Sequence, residues 1–219
     1  MHPSRARRTG LHFALALISA ALLFTAAAAH AQFGAPKTTQ VHDPSALKPP
    51  AGARVAIVEF ADMECPLCAS TNPYLMEAAA KYNIPWVRHD FPLPYHAWGF
   101  QAAVNARFFD TKGEKLGNDY RDYIYANQIS IETPDELRTW TQKFAAAHSV
   151  ALPFAIDPMG KLSAEVKADQ ALGQRIGIEH TPTIWIVTNG SHAAPFVEVV
   201  DRSKLFQIID AAIAETRGH

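Results

Sequence analysis

The only two cysteines of the chain, Cys65 and Cys68, stand in the stretch "EFADMECPLCAS" of residues 59–70, separated by Pro66 and Leu67. Three chemistries fit such a pair: a structural disulfide, half of a metal site, or a redox-active dithiol. A staple across two intervening residues closes a very short loop, where the chain-entropy gain is least, about 2 kcal/mol at most. A chain of 219 residues builds a core without such help. Of the ten histidines, His89, His96 and His180 are candidates to approach the cysteines, but none has metal-ligand spacing to another histidine, so no metal is expected. Disulfide exchange needs an exposed thiol that ionises near neutral pH and a second thiol that attacks the mixed disulfide from inside. A Cys-x-x-Cys at a strand-to-helix junction supplies both.

The compartment supports redox chemistry. Residues 1–31 read as a secretory signal: Arg5, Arg7 and Arg8, an apolar run from Leu11 to Ala29, and the small-x-small close Ala29-His30-Ala31. The expectation is cleavage after Ala31 and release into the periplasm or another extracytoplasmic space. The alternative is an anchor formed by the uncleaved segment, which is long enough to span a bilayer. Export sends the cysteines where disulfides form and persist. The leader holds three basic residues and no acid, so the excess of Asp and Glu, 21 against 20 Lys and Arg in the whole chain, widens to about four charges. No basic patch points to nucleic acid.

Several elements must position the pair. Residues 32–53, with Pro36, Pro44, Pro49 and Pro50, read as an extended N-terminal arm, with order beginning near Arg54. Arg54 to Phe60 is a short apolar run, as expected of a parallel strand covered on both faces. A helix follows the cysteines, with Pro66 in its first turn and Pro73 expected to kink it. A second strand covers Ile84 to Phe91. Helices are then predicted over His96 to Asp110, Asn118 to Gln128, and from the capping box and proline of Thr133-Pro134-Asp135-Glu136. In the first of these, Trp98, Phe100, Phe108 and Phe109 are at the spacing of a core stripe. A late helix starts at Asp157-Pro158 and stops at Gly177. Strands at Thr181 to Val187 and Pro195 to Val200, joined by the turn Asn189-Gly190-Ser191-His192, precede a final helix over Arg202 to Thr216. The stretch of about 65 residues between the second strand and the late helix is far longer than an ordinary connection and reads as an inserted helical subdomain. The segments are therefore 54–92, the first part of an α/β fold; 93–156, the insert; and 157–219, the second part.

At this junction the chain resembles the DsbA-like branch of the thioredoxin superfamily, on the motifs "VEFADMECPLC", "HDFPLPYH" and "GIEHTPTIWIV", across roughly residues 54–216. The resemblance implies a thioredoxin fold with an inserted all-helical subdomain. It implies that Pro182 is a cis proline whose loop faces the cysteines, with Thr181 offering backbone groups to a substrate strand. By themselves these two residues read as a strand edge. It also implies a thiol-disulfide oxidoreductase without a diffusible cofactor, its redox group being Cys65-Cys68. Expected partners are folding exported proteins and a quinone-linked membrane partner, or a membrane electron donor if the reaction runs reductively. Lacking an N-terminal dimerisation domain, the chain is expected to be a monomer.

Glu59 interrupts the apolar strand six positions before Cys65, where a buried carboxylate is costly without a task or a partner. One reading makes it the proton acceptor for Cys68. The other makes it a strand-end carboxylate in water, or paired with Arg54 or Arg88. Asp62 and Glu64 we read as two solvated loop acids, screened by water and otherwise tending to raise the Cys65 pKa.

Pro66 and Leu67 set the direction of exchange. The most oxidising members of the family carry a histidine between the cysteines, and Leu67 offers no such donor. Thr181 in place of valine points the same way. The expectation is a moderately oxidising DsbA-like protein, with an isomerase or reductase as the alternative and a chaperone-like binding module, its cysteines incidental, from another class.

Overall fold

The computed structural model describes residues 38–190 and 194–217. The expected secretory leader over 1–31, the first residues of the arm, and Ser191 and His192 of the predicted turn lie outside the described residues.

Four strands and six α-helices are present among the described residues: β1 (Val55–Ala61), α1 (Pro66–Tyr82), β2 (Trp86–Asp90), α2 (Gly99–Asp110), α3 (Glu114–Asn127), α4 (Pro134–Ala147), α5 (Lys161–Ile176), β3 (Thr183–Thr188), β4 (Phe196–Glu198) and α6 (Leu205–Arg217). The sheet order is β2-β1-β3-β4. β1 runs parallel to β2 and antiparallel to β3, so its continuous apolar run marks a central strand of a mixed sheet. Side chains alternate across a strand. Ala56, Val58 and Phe60 pack with Trp185, Val187, Ile176 and Ile178 on one face. Val55 and Ile57 pack with Leu75, Ile184, Ile186, Leu205 and Ile209 on the other, beneath α1 and α6. Each such side chain contributes about 1.5–3 kcal/mol when buried.

The helical insert shares its core with the redox motif. Trp98, Phe108, Phe109, Tyr120, Ile124 and Phe144 form one cluster with Met63, Cys65 and Cys68, and Leu162 and Val166 of α5 close it. An ion cluster centred on the buried Arg121 and Asp90 ties the insert to the sheet. Arg121 pairs with Asp110 at 2.9 Å and with Asp90 at 3.4 Å, and Arg107 pairs with Asp90 at 2.7 Å and with Asp169. Removing one member of such a group leaves a buried charge uncompensated, at a cost of about 3–5 kcal/mol.

Several boundaries differ from expectation for local reasons. Order does not wait for Arg54: Thr39 bonds to the Glu198 carboxylate, His42 N–H donates to Ile176 O, and Leu47 is buried in the core. Alternation is absent there because the segment is tied down by single contacts rather than by a ladder. α1 continues through Pro73, which faces solvent, as far as Tyr82. α2 starts at Gly99 rather than His96, because a carboxylate from the redox loop caps it there. α3 begins earlier than predicted, at Glu114. α5 begins at Lys161, with Asp157 reaching forward to accept from the N–H groups of Leu162 and Ser163 at 3.1 and 2.8 Å. The capping box of Thr133 and Glu136 is formed as predicted, and Gly177 ends α5 in the left-handed region at φ 104°.

Candidate active site

Cys65 is the N-cap of α1 and Cys68 lies one turn in. An N-cap faces N–H groups that have no partner within the helix, and the helix dipole favours negative charge there. Both cysteines are free thiols; Cys68 is fully buried, and Cys65, expected to be exposed, is only 7% exposed, because the Thr181 loop and the insert pack over it. A hydrogen bond from Cys68 is the main cause holding the Cys65 thiol down at about 5, against the cost of burial. The contact with Thr181 and the backbone N–H groups of Cys68 and Leu67 add to it. Burial pushes Cys68 well above an ordinary thiol, and the neighbouring Cys65 and Glu59 charges push it further. The two thiols are thus driven apart: one a ready thiolate and leaving group, the other protonated until a base acts on it.

The Thr181-Pro182 peptide bond is cis. The Thr181 carbonyl oxygen is 3.4 Å from the Cys65 sulfur, so the two segments of the fold meet at the reactive atom. Pro66 and Leu67 are exposed beside Cys65.

Glu59 lies on the α1 side of β1, with Val55 and Ile57, and is 1% exposed. The aqueous reading of this residue is excluded by that burial. Arg54 is engaged elsewhere, donating to Thr216 O at 3.3 Å. The β1–β2 register places Arg88 opposite Glu59, but the Arg88 guanidinium donates to Asp122 and Asn72, at 2.9 and 2.8 Å. What bonds to Glu59 is the Trp86 indole N–H, at 3.0 Å. Burial raises the Glu59 carboxyl to about 7, with Arg88 and the Trp86 bond pulling it back.

Asp62 and Glu64 are not solvated loop acids. Asp62 is buried, accepts from the N–H groups of Leu93 and Glu64 at 2.7 and 2.9 Å, and sits 2.6 Å from His96 Nδ1. Burial raises its pKa. Glu64 accepts from the N–H groups of Ala97, Trp98 and Gly99 at 3.0, 2.5 and 2.7 Å, which places its charge on the N-terminus of α2. Neither acid is among the main causes of the Cys65 shift. Their charges are spent on joining the redox loop to the insert, which the sequence alone hides because these contacts span about thirty residues.

The three histidines do not converge on the cysteines as ligands. His89 stacks on Phe60 and bonds to Asp169, His96 meets Asp62, and His180 lies 3.1 Å from the Thr183 hydroxyl. Sequence reasoning also passed over Trp86, Asn72, Asp122 and Gln128. For Trp86 a signal existed: in a parallel β2 it falls on the same sheet face as Glu59. For Gln128 there was none.

A low-pKa thiol at a helix cap, a buried partner one turn in and a cis-proline loop against the sulfur define a thioredoxin-like dithiol site. A family model described as thioredoxin matches residues 51–202, and the chain belongs to that family. Its fold is that of DsbA-type proteins. It is similar to α-DsbA1 of Wolbachia pipientis at 18% identity and TM-score 0.62, over 78% of this chain and 91% of that one. It is also similar to DsbA2 of Pseudomonas aeruginosa at 23% identity and TM-score 0.55, over 75% and 91%. The catalytic domain of Proteus mirabilis ScsC matches at 16% identity and TM-score 0.58, over 76% and 88%. No curated protein matches.

Proposed function

We propose that the protein is an exported thiol-disulfide oxidoreductase that passes disulfides to folding exported proteins, with a moderately oxidising potential. The observation that carries this is the Cys65 sulfur, held low in pKa at a helix cap and facing the Thr181 carbonyl. In the oxidised protein a client thiolate attacks Cys65 Sγ, the Cys65–Cys68 bond breaks, and Cys68 leaves and takes a proton. A second client thiolate then attacks the client sulfur of the mixed disulfide and Cys65 departs as a thiolate. Two electrons have moved from client to protein, and a quinone-linked membrane partner accepts them to restore the disulfide. No diffusible cofactor is needed.

Glu59 is the proton donor and acceptor for Cys68. Its carboxyl is poised near 7 on the strand beneath α1, and its charge acts on Cys68. Thr181 and Pro182 hold the client backbone, and Pro66 and Leu67 form the exposed rim it crosses. The protein works as a monomer in the periplasm or an equivalent space.

A second reading, an isomerase or reductase, is favoured by Leu67 and Thr181. Titration of the Cys65/Cys68 pair against glutathione separates the two: a potential near or below about −270 mV, that of thioredoxin, overturns the oxidase reading. Replacing Cys65 by Ser separates both from a binding module. Undiminished disulfide formation in a reduced client with that variant rules out catalysis by the pair.

A further inference from the structure

Besides the contacts of Asp62 and Glu64, a side chain of the helical block binds the backbone of the redox loop directly. Gln128 follows α3 and opens a short 3-10 turn over Gln128–Ser130. Its Nε2 donates to the carbonyl oxygen of Met63 at 2.7 Å and to that of Cys65 at 3.0 Å. The Cys65–Pro66 peptide has no N–H, since Pro66 lacks one, so the Cys65 carbonyl is the only hydrogen-bonding group of that unit. It is also the first acceptor of α1, taking the Ala69 N–H at a long 3.2 Å. One amide thus fixes the loop on both sides of Glu64, whose own carboxylate is anchored on α2.

We propose that Gln128 is a positioning residue for the redox pair: by pinning the Met63 and Cys65 carbonyls it keeps the Cys65 sulfur aligned on the first turn of α1, and so tunes its exchange equilibrium. This rests on the exchange function proposed above. Two effects act together. The N–H groups of Leu67 and Cys68 help the thiolate only while the turn keeps them aimed at the sulfur. The Gln128 amide also turns the positive end of its dipole toward the N-cap, adding to the potential of the helix end. The helical insert thereby acts on the chemistry of the dithiol as well as covering it.

Gln128→Met keeps the side chain's length and removes both donors. In the full chain, thiolate absorbance against pH and equilibration with glutathione are the readouts. The expected result is an upward move of the Cys65 titration and about a fivefold loss in the equilibrium constant for oxidising glutathione, the share of one net hydrogen bond. Asn127→Ala, whose side chain bonds only to Tyr123 O, leaves both readouts unchanged. A folded Gln128→Met protein with unaltered titration and equilibrium overturns the inference, whatever its melting temperature. If that variant does not fold, Gln128→Asn, one methylene short, is judged by the same two readouts. A wild-type Cys65 titrating like an ordinary thiol, or undiminished exchange by Cys65→Ser, would instead overturn the exchange function itself.

Discussion

The Cys65 sulfur and the Thr181 carbonyl oxygen, 116 positions apart in the chain, meet at 3.4 Å. The contact brings the cap of α1 against the loop that enters β3, so a client strand lying along Thr181 would deliver its sulfur to the only low-pKa thiol of the pair.

The Cys65 titration has a signed consequence for stability. In the unfolded chain a cysteine titrates near 8.5, and in the fold Cys65 is held at about 5. Across that window the native reduced protein has released a proton that the unfolded chain still binds, so the stability of the reduced form rises with pH. The gain is complete above the unfolded value and is lost as pH falls through 5. Cys68 is shifted upward and adds no slope below its ordinary range. Glu59, raised to about 7, adds an opposite slope in both redox forms. The measure is therefore the difference in denaturant stability between reduced and oxidised protein, which is expected to rise in favour of the reduced form from pH 4.5 to 8.

Glu59→Gln tests the proton route. It keeps an acceptor for the Trp86 N–H but cannot exchange a proton, so attack by Cys68 on the mixed disulfide is expected to slow by about 10²-fold, with the pH dependence near 7 abolished. Stopped-flow decay of a trapped mixed disulfide measures it. Stability moves the other way. A carboxyl raised from 4.5 to about 7 costs the fold stability as pH rises through that window, because the unfolded chain ionises first. The variant should therefore be more stable at pH 8, by on the order of 1–3 kcal/mol.

Leu67→His tests the tuning of the potential. Leu67 is exposed beside Cys65 and offers no donor to the thiolate. A histidine there is expected to stabilise the reduced form and raise the potential by roughly 30 mV, a tenfold change in the exchange equilibrium. Equilibration with glutathione reads this directly, and no change would remove Leu67 as the cause of a tempered potential.

The clamp between redox loop and insert has two sensitive points. A Cβ at Gly99 would run into the buried Asp62 carboxylate, so Gly99→Ala is expected to destabilise by about 1–3 kcal/mol. Glu64→Ala leaves the first N–H groups of α2 without their carboxylate, at about 0.5–2 kcal/mol. Thermal unfolding measures both.

The sequence determined the chemistry and the order of elements through local signals. Two cysteines with two residues between them, an apolar run before and a helical pattern after, place a dithiol at a helix start. The capping box at Thr133 and the glycine at 177 are equally local. What only the tertiary structure decided are the partnerships of charged and polar side chains far apart in the chain. Glu59 reads the same in sequence whether it is wet or buried, and β-register and burial decide that it sits 3.0 Å from the Trp86 N–H, beneath α1. Asp62 and Glu64 read as solvent-facing acids, and only the return of the chain at Leu93–Gly99 shows them holding the insert. Gln128 carries no motif at all. The physical reason is one of range: helix caps and strand alternation are settled by neighbours a few residues away, whereas the energy of a carboxylate or an amide depends on which backbone groups distant segments bring within about 3 Å of it.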